Sequence, residues 1–361
     1  MSTPPPSTHA SLVRVVDELY LLLTESAEFH EHPEVKRILG IAAQTVQSIR
    51  LRLERSRKRY VVAVVGLTNV GKSTLLNALL GDELAPRRNG PCTSAPIEFV
   101  YGQALSLTAH FRDRLERSTV KPESVEKLHL TLASLADEAL GQRGLAVKRV
   151  VIEFPAPLLR GDLVITDTPG FGAAQMGDSD GAHERAVKDY LAREVSQVFW
   201  VVLAEQGIGK REIEFHNEWF SPICDDLVVT GSEDWSEVDR VRYRRRFSGR
   251  FSGRAPRFHF VSGLQGLKAR KSHDSQELEA AGIPLLEDRI RRLSSLEGRR
   301  AALLSWLEQL TDDLTNYLAE FEDERGRRQR HWWRPDSWDR WRIACQQDAL
   351  AKSLTNQLTP R

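Results

Sequence analysis

Gly66-Leu-Thr-Asn-Val-Gly71-Lys72-Ser73 sets two glycines, a lysine and a hydroxyl in the pattern G-x-x-x-x-G-K-[ST], and that pattern suits the cradling of a polyphosphate. Glycine lets the backbone wrap closely and turn its N–H groups toward an anion. Lys72 supplies a point charge for the β- and γ-phosphates, and the Ser73 hydroxyl supplies a ligand for magnesium. The expected contact set is Gly66, Thr68, Asn69, Val70, Gly71, Lys72, Ser73 and Thr74. Such a metal needs a second, acidic partner from elsewhere in the chain. Leu163-Val-Ile-Thr-Asp167-Thr168-Pro169-Gly170 provides one, with Asp167 reaching Mg2+ through water and the Gly170 N–H meeting the γ-phosphate. On its own Asp-x-x-Gly is usually just a turn. Placed after an apolar strand and downstream of a phosphate loop, it points to function.

Positioning these groups takes a particular architecture. Tyr60–Val65 is a β-branched run with no charge, the mark of a strand buried on both faces of a parallel sheet. It runs straight into Gly66, and Leu75, Leu76 and Leu79 then continue as an amphipathic helix. Similar short runs recur at 150–154, 163–166, 198–203, 227–229 and 258–261. Strands alternating with helices predict an α/β fold, a doubly wound and mostly parallel sheet. Ahead of it, Leu12, Val16, Leu19, Tyr20 and Leu23, then Val35, Ile38, Ala42, Val46, Ile49 and Leu53, recur at helical spacing on either side of His32-Pro33. Behind it, Leu296, Leu303, Leu310 and Tyr317 interleave with Leu307, Leu314 and Phe321 as an a/d seam. A helix from Leu286 to Phe321 is expected to pack on the hairpin, because each has an apolar stripe to bury. The resulting divisions are 1–10 disordered, 11–57 a helical hairpin, 58–275 the nucleotide domain, and 276–361 a helical segment with a Trp/Arg-rich end.

Composition narrows the partners. The chain has 51 Lys+Arg against 50 Asp+Glu, so no global charge bias favours nucleic acid. No run approaches the roughly 18–20 apolar residues of a membrane span, and the start MSTPPPSTHA lacks a signal core. Three scattered cysteines, Cys92, Cys224 and Cys345, match no zinc or disulfide spacing. A cytoplasmic protein is expected. Two stretches, Arg50–Arg59 and Arg240–Arg257, are strongly basic and read first as solvated helix faces. The segment from His331 to Arg342 holds Trp332, Trp333, Trp338 and Trp341 among arginines, which fits core packing or a partner contact.

With both phosphate-site motifs in place, residues 58–267 resemble a GTPase of the dynamin superfamily, most of all its bacterial members. Leu84 to Pro96 is similar to that family's first switch, and the resemblance makes Thr93 a magnesium ligand, with Arg87 and Arg88 nearby. Phe260-Val-Ser262-Gly263-Leu264 resembles the loop that touches the base. The family reads guanine through [NT]-K-x-D. Here Thr230-Gly231-Ser232-Glu233-Asp234 follows the strand, so the lysine is missing and the carboxylate is Glu233 or Asp234. Phe171 follows Asp-Thr-Pro-Gly where Ras-like enzymes have a water-orienting glutamine nearby. Asn69 stands where GTPases of the Era and tRNA-modifying groups coordinate potassium, although bonding to the loop backbone serves it equally well. The resemblance implies GTP and GDP as ligands, Lys72, Ser73, Thr93 and Asp167 as catalytic residues, and Mg2+ with K+ as a further cation. It also implies hydrolysis accelerated by pairing of two nucleotide domains. Pairing is expected in a homodimer or with a second dynamin-like chain, at a membrane surface contacted peripherally. A soluble regulatory switch that binds protein or RNA, or a nucleotide-binding structural module, are the other readings.

Overall fold

A computed structural model of the chain describes residues 8–56, 59–86, 95–111, 117–140, 147–169, 182–217, 223–251 and 255–295 and, with gaps, 297–315. Two compact units emerge, one from the described residues within 1–54 and 302–361, the other within 55–301.

In the first unit, α1 (Thr8–Phe29) and α2 (Pro33–Ser56) form the hairpin. Pro33 opens α2, where its fixed φ and missing N–H cost nothing. Val35, Ile38, Ala42, Val46, Ile49 and Leu53 are all buried, as the helical spacing requires. Arg50 from the first basic stretch pairs with Asp17 at 2.5 Å and is not a purely solvated charge. Helix α1 begins at Thr8, inside the ten residues expected to be disordered. Leu307, Leu310 and Leu314 of the a/d seam are buried. No helix among the described residues is long and apolar enough to cross a membrane.

Among the described residues the second unit has nine strands: β1 (Tyr60–Val65), β2 (Ile97–Tyr101), β3 (Ser106–Phe111), β4 (Arg117–Val120), β5 (Val147–Phe154), β6 (Leu163–Asp167), β7 (Gln197–Leu203), β8 (Asp226–Thr230) and β9 (Arg257–Phe260). Their order in the sheet is β4-β3-β5-β2-β6-β1-β7-β8-β9. From β6 to β9 every pairing is parallel, and β2 joins β6 antiparallel. The central strand β1 is buried along its whole length, as its uninterrupted apolar run predicts. The strands from β2 to β4 carry no such run. β2 holds Glu98, and β4 is an exposed polar edge, Arg-Ser-Thr-Val, of the kind that resists further pairing.

Helices α3 (Lys72–Leu80), α8 (Gly263–Ser272) and α10 (Ile283–Ser294) pack on the core that contains Tyr60, Val62, Val64, Phe99, Ile165 and Val201. Two glycines allow the close approach. A Cβ on Gly263 would stand 2.8 Å from the Leu75 nitrogen, and one on Gly266 2.4 Å from Ile283 Cγ1. The remaining helices are α4 (Val125–Leu140), α5 (Ala182–Glu194), α6 (Lys210–Phe215), α7 (Glu237–Ser248) and α9 (Ser275–Ala280). The expectation of one helix from Leu286 to Phe321 is corrected here. Ser295 is extended (φ −67°, ψ 156°), so α10 ends there and its Ile283, Leu286, Ile290 and Leu293 stay in the nucleotide unit. A second helical stretch resumes at 297. The seven-residue repeat itself begins at Leu296, just past the break, and Gly298, Arg299 and Arg300 interrupt it near its start.

Candidate nucleotide site

Strands β1 and β6 run parallel with Val64 opposite Asp167, so the loops that follow them leave the same edge of the sheet. The loop after β1 crosses the end of β7 so closely that a Cβ on Gly66 would lie 2.3 Å from the Val201 carbonyl oxygen. Only glycine fits there. Asn69 (φ 65°) and Gly71 (φ 89°) are both left-handed, which curls the backbone into a concave row of N–H groups. Helix α3 starts at Lys72 with no side-chain cap, so its first N–H groups face outward, where the helix dipole favours an anion.

Lys72 folds back over this loop and donates to the carbonyls of Gly66 (3.1 Å) and Leu67 (2.6 Å). The Ser73 hydroxyl donates to Asp167 Oδ2 at 2.9 Å. The pairing expected between the phosphate loop and the acidic strand end is therefore present in space. Asp167 is buried, and its other oxygen, Oδ1, has no hydrogen-bond partner among the described residues. An orphaned carboxylate oxygen beside a serine hydroxyl is a donor set that suits Mg2+, a hard cation taking oxygen ligands. Burial lowers the Lys72 ammonium's affinity for its proton, opposed by the nearby Asp167 charge. Burial likewise raises the Asp167 carboxyl, opposed by Lys72 and the Ser73 hydrogen bond. A phosphate at the lysine and a divalent cation at the carboxylate each favour the charged form of the group they meet.

Several side chains brace this arrangement through bonds within the chain. The Thr168 hydroxyl donates to the Val64 carbonyl at 2.8 Å and ties the Asp167 segment to β1. Thr230, expected in the base-reading loop, is buried. Its hydroxyl donates to the Val70 carbonyl at 2.6 Å and lies 3.2 Å from the Val202 carbonyl. Thr230 thus braces the phosphate loop from β8. Ser262 caps α8 by accepting from the Gln265 N–H (3.2 Å), and Gly263 abuts Leu75. Both residues are engaged in packing the α8–α3 contact. Glu233 and Asp234 are exposed in the turn after β8, and the Trp235 ring beyond them lies tilted against those of Tyr243 (5.2 Å) and Phe260 (6.1 Å). Asn69 is exposed at the tip of the phosphate loop, while Val70 is buried and Thr68 and Thr74 are half-buried. Thr93 and Gly170, with Arg87, Arg88 and Phe171, lie outside the described residues, as does the Trp-rich segment from His331.

The second basic stretch resolves into aromatic contacts. Arg240 and Arg244 lie over the Phe260 ring at 5.5 and 5.1 Å, and Arg246 and Arg250 lie over Phe247 at 5.3 and 5.0 Å. Two buried ion clusters carried no sequence signal, because their members are far apart in the chain. Asp226 accepts from Arg289 Nε and Nη2 at 2.9 Å each, with His259 Nε2 at 2.8 Å. Glu98 is the centre of the other.

Comparison with known proteins matches this geometry. Residues 62–230 match the model of the dynamin family. The bacterial dynamin-like protein of Nostoc punctiforme is 23% identical over 275 residues, covering 66% of this chain and 37% of that protein. Dynamin-like protein 1 of Campylobacter jejuni is 22% identical, covering 76% of this chain and 44% of that protein. Human dynamin-1 is 25% identical over 144 residues, 40% of this chain and 16% of its own length. The chain thus spans less than half the length of these relatives. A structure from a study of an oligomerised bacterial dynamin pair superposes with a TM-score of 0.51 at 19% identity, over 99% of this chain and 52% of that one, and shows the same fold. Sheet order, phosphate loop and matched residues converge on one resemblance: residues 62–230 of this chain are similar to the dynamin family.

Proposed function

We propose that this chain binds GTP with Mg2+, hydrolyses it, and passes the nucleotide state to its helical unit during work on membranes beside a second dynamin-like chain. The observation that carries the reading is the Ser73–Asp167 contact of 2.9 Å at the mouth of a glycine-turned loop, with Asp167 Oδ1 left for a metal. Lys72 balances phosphate charge, Ser73 and Asp167 hold the cation, and Thr93 completes the set by resemblance. When bound, Mg2+ neutralises charge on the β- and γ-oxygens. The backbone N–H groups of the loop and of α3 orient the phosphates and stabilise the charge that grows on them. Guanine is recognised by Glu233 or Asp234, whose exposure after β8 leaves either free to accept from the base.

Support for the membrane role comes from the family, whose solved member pair is described as sensing and tethering membranes. Support for nucleotide-driven motion comes from the chain order, since the chain passes from helical to nucleotide unit at 54–55 and back at 301–302. The functional divisions we propose are a nucleotide domain over 58–275 and helical segments from both termini, with α9 and α10 packed on the former. Peripheral membrane contact from the cytoplasm completes the reading.

The test is nucleotide competition between GTP and ATP, combined with turnover measured against protein concentration in potassium and in sodium. GTP should win, and turnover per molecule should rise with concentration and with potassium if pairing and Asn69 operate. Preference for ATP would overturn guanine recognition. A rate flat in concentration and indifferent to the cation would overturn hydrolysis by pairing. Liposome sedimentation with a GTP analogue separates the membrane role from that of a soluble regulatory switch, whose lipid binding would be nil.

A further inference from the structure

Residues 237–251 hold six arginines and two carboxylates, a local charge of +4 in a chain whose net charge is +1. No lysine is among them. On α7 the helical spacing sorts these residues by face. Tyr243 and Phe247 are buried, and Arg240 and Arg244 lie over the Phe260 ring. Val238, Arg242, Arg245 and Arg246, three and four residues apart, form the exposed face, and exposed Arg250 follows just past the helix end.

The two carboxylates offset only part of this charge. Glu237 pairs with Arg244 at 3.2 Å and Asp239 with Arg242 at 3.4 Å, and exposed pairs of this kind are weak. Arg245, Arg246 and Arg250 pair with no carboxylate among the described residues. Arg246 and Arg250 instead rest over the Phe247 ring at 5.3 and 5.0 Å. Arg250 Nη1 also donates to the Ile208 carbonyl at 3.3 Å.

Helix stability does not call for so many arginines. Arg245 and Arg246 stand in the last turn, where a cation complements the helix dipole, but one or two charges satisfy it. Arg240–Arg244 and Arg242–Arg246 are like charges at four-residue spacing, each mildly destabilising. A polyanion removes that repulsion. Arginine rather than lysine suits phosphate, because its planar fork meets two oxygens at once. Stems already resting on rings lose less freedom on binding. Tyr243 and Phe247 are buried and Phe260 is half-buried beneath the arginines, so no exposed ring of this face offers a base a stacking partner. What remains is a convex, charged helix face, fitted to a flat array of phosphates.

We propose that this face of α7, through Arg242, Arg245, Arg246 and Arg250, docks on the phosphate headgroups of an anionic membrane. The proposal rests on the membrane reading above and assigns a contact to the nucleotide unit itself. Val238 is the exposed apolar residue of the face, too little to insert, so attachment is electrostatic, reversible and weakened by salt. Each arginine near an anionic leaflet multiplies the partition about fivefold.

The test is sedimentation of the full chain with vesicles of phosphatidylcholine alone and of phosphatidylcholine mixed with phosphatidylserine. The unmodified chain should bind the mixed vesicles, leave the neutral ones, and be released by high salt. Arg245→Gln combined with Arg246→Gln should weaken that binding about 20–30-fold. GTP turnover without vesicles and thermal stability should stay unchanged, because neither residue belongs to the phosphate site. Where the pair does lower stability, Arg242→Gln alone decides, with an expected loss of about fivefold. Equal binding by variant and unmodified chain, or binding indifferent to phosphatidylserine, overturns the α7 site and leaves the membrane reading standing. A chain that sediments with neither vesicle, with or without a GTP analogue, overturns both. Tighter binding to a double-stranded RNA, lost in the same variant, assigns the face to nucleic acid and overturns the lipid.

Discussion

Lys72 shows how one side chain reports the whole site. It is buried, opposed in charge by Asp167 nearby, and bonded to the carbonyls of the loop that it closes. A lysine is held this way at the cost of desolvation, which an anionic ligand recovers. Lys72→Ala should weaken triphosphate binding by about 10–100-fold, the value of one or two charge-assisted hydrogen bonds; titration with a fluorescent GTP analogue measures it. A variant with unchanged affinity would remove the phosphate site from this loop. Asp167→Asn keeps the shape and the Ser73 contact but removes charge from the metal side. It should spare nucleotide binding in metal-free buffer and abolish the gain in affinity that Mg2+ gives, by the same titration with and without the cation.

Among the elements, β8 connects the site to its supports. Its last residue, Thr230, braces Val70 in the phosphate loop, and its first, Asp226, is gripped by Arg289 of α10. Thr230→Val preserves volume but strands the buried Val70 carbonyl, at a cost of about 1–3 kcal/mol. Chemical denaturation should show that loss, together with weaker GDP binding. Full stability would mean the hydroxyl is not a brace. Gly263 tests the α8–α3 contact. A Cβ there meets backbone at 2.8 Å, so Gly263→Ala should destabilise by about 1–3 kcal/mol, seen as a lower urea midpoint.

For the molecule as a whole, the Asp226 cluster ties α10 to the sheet and gives a pH signature. Burial alone would raise this carboxyl, but hydrogen bonds from His259 and Arg289 outweigh it and leave its pKa below the ordinary 3.8. The unfolded chain then takes up the proton first. The contribution to stability is present above 3.8 and lost as the pH falls through the lower folded value. Arg289→Met removes two donors and leaves a buried charge short of partners, a loss of about 3–5 kcal/mol. Acid unfolding followed by circular dichroism should begin at a higher pH in Arg289→Met than in the unmodified chain. Coincident acid transitions would show that the cluster does not contribute.

What could be read before any coordinates were the features whose physics is local. The run Tyr60–Val65, the glycines of the phosphate loop, Lys72-Ser73, and Asp167 at the end of an apolar strand each fix their own chemistry within a few residues. Helical spacing likewise located the buried face of α2. The tertiary structure decided what depends on residues far apart. It made Thr230 a brace, put Ser262 and Gly263 into helix packing, and gathered partners around Glu98 and Asp226 from distant elements. It also broke the expected C-terminal helix at Ser295, where the backbone turned extended. A short-range pattern records which face of an element is apolar; it holds no record of which distant charge that face will meet, and such pairings exist only once the sheet has formed.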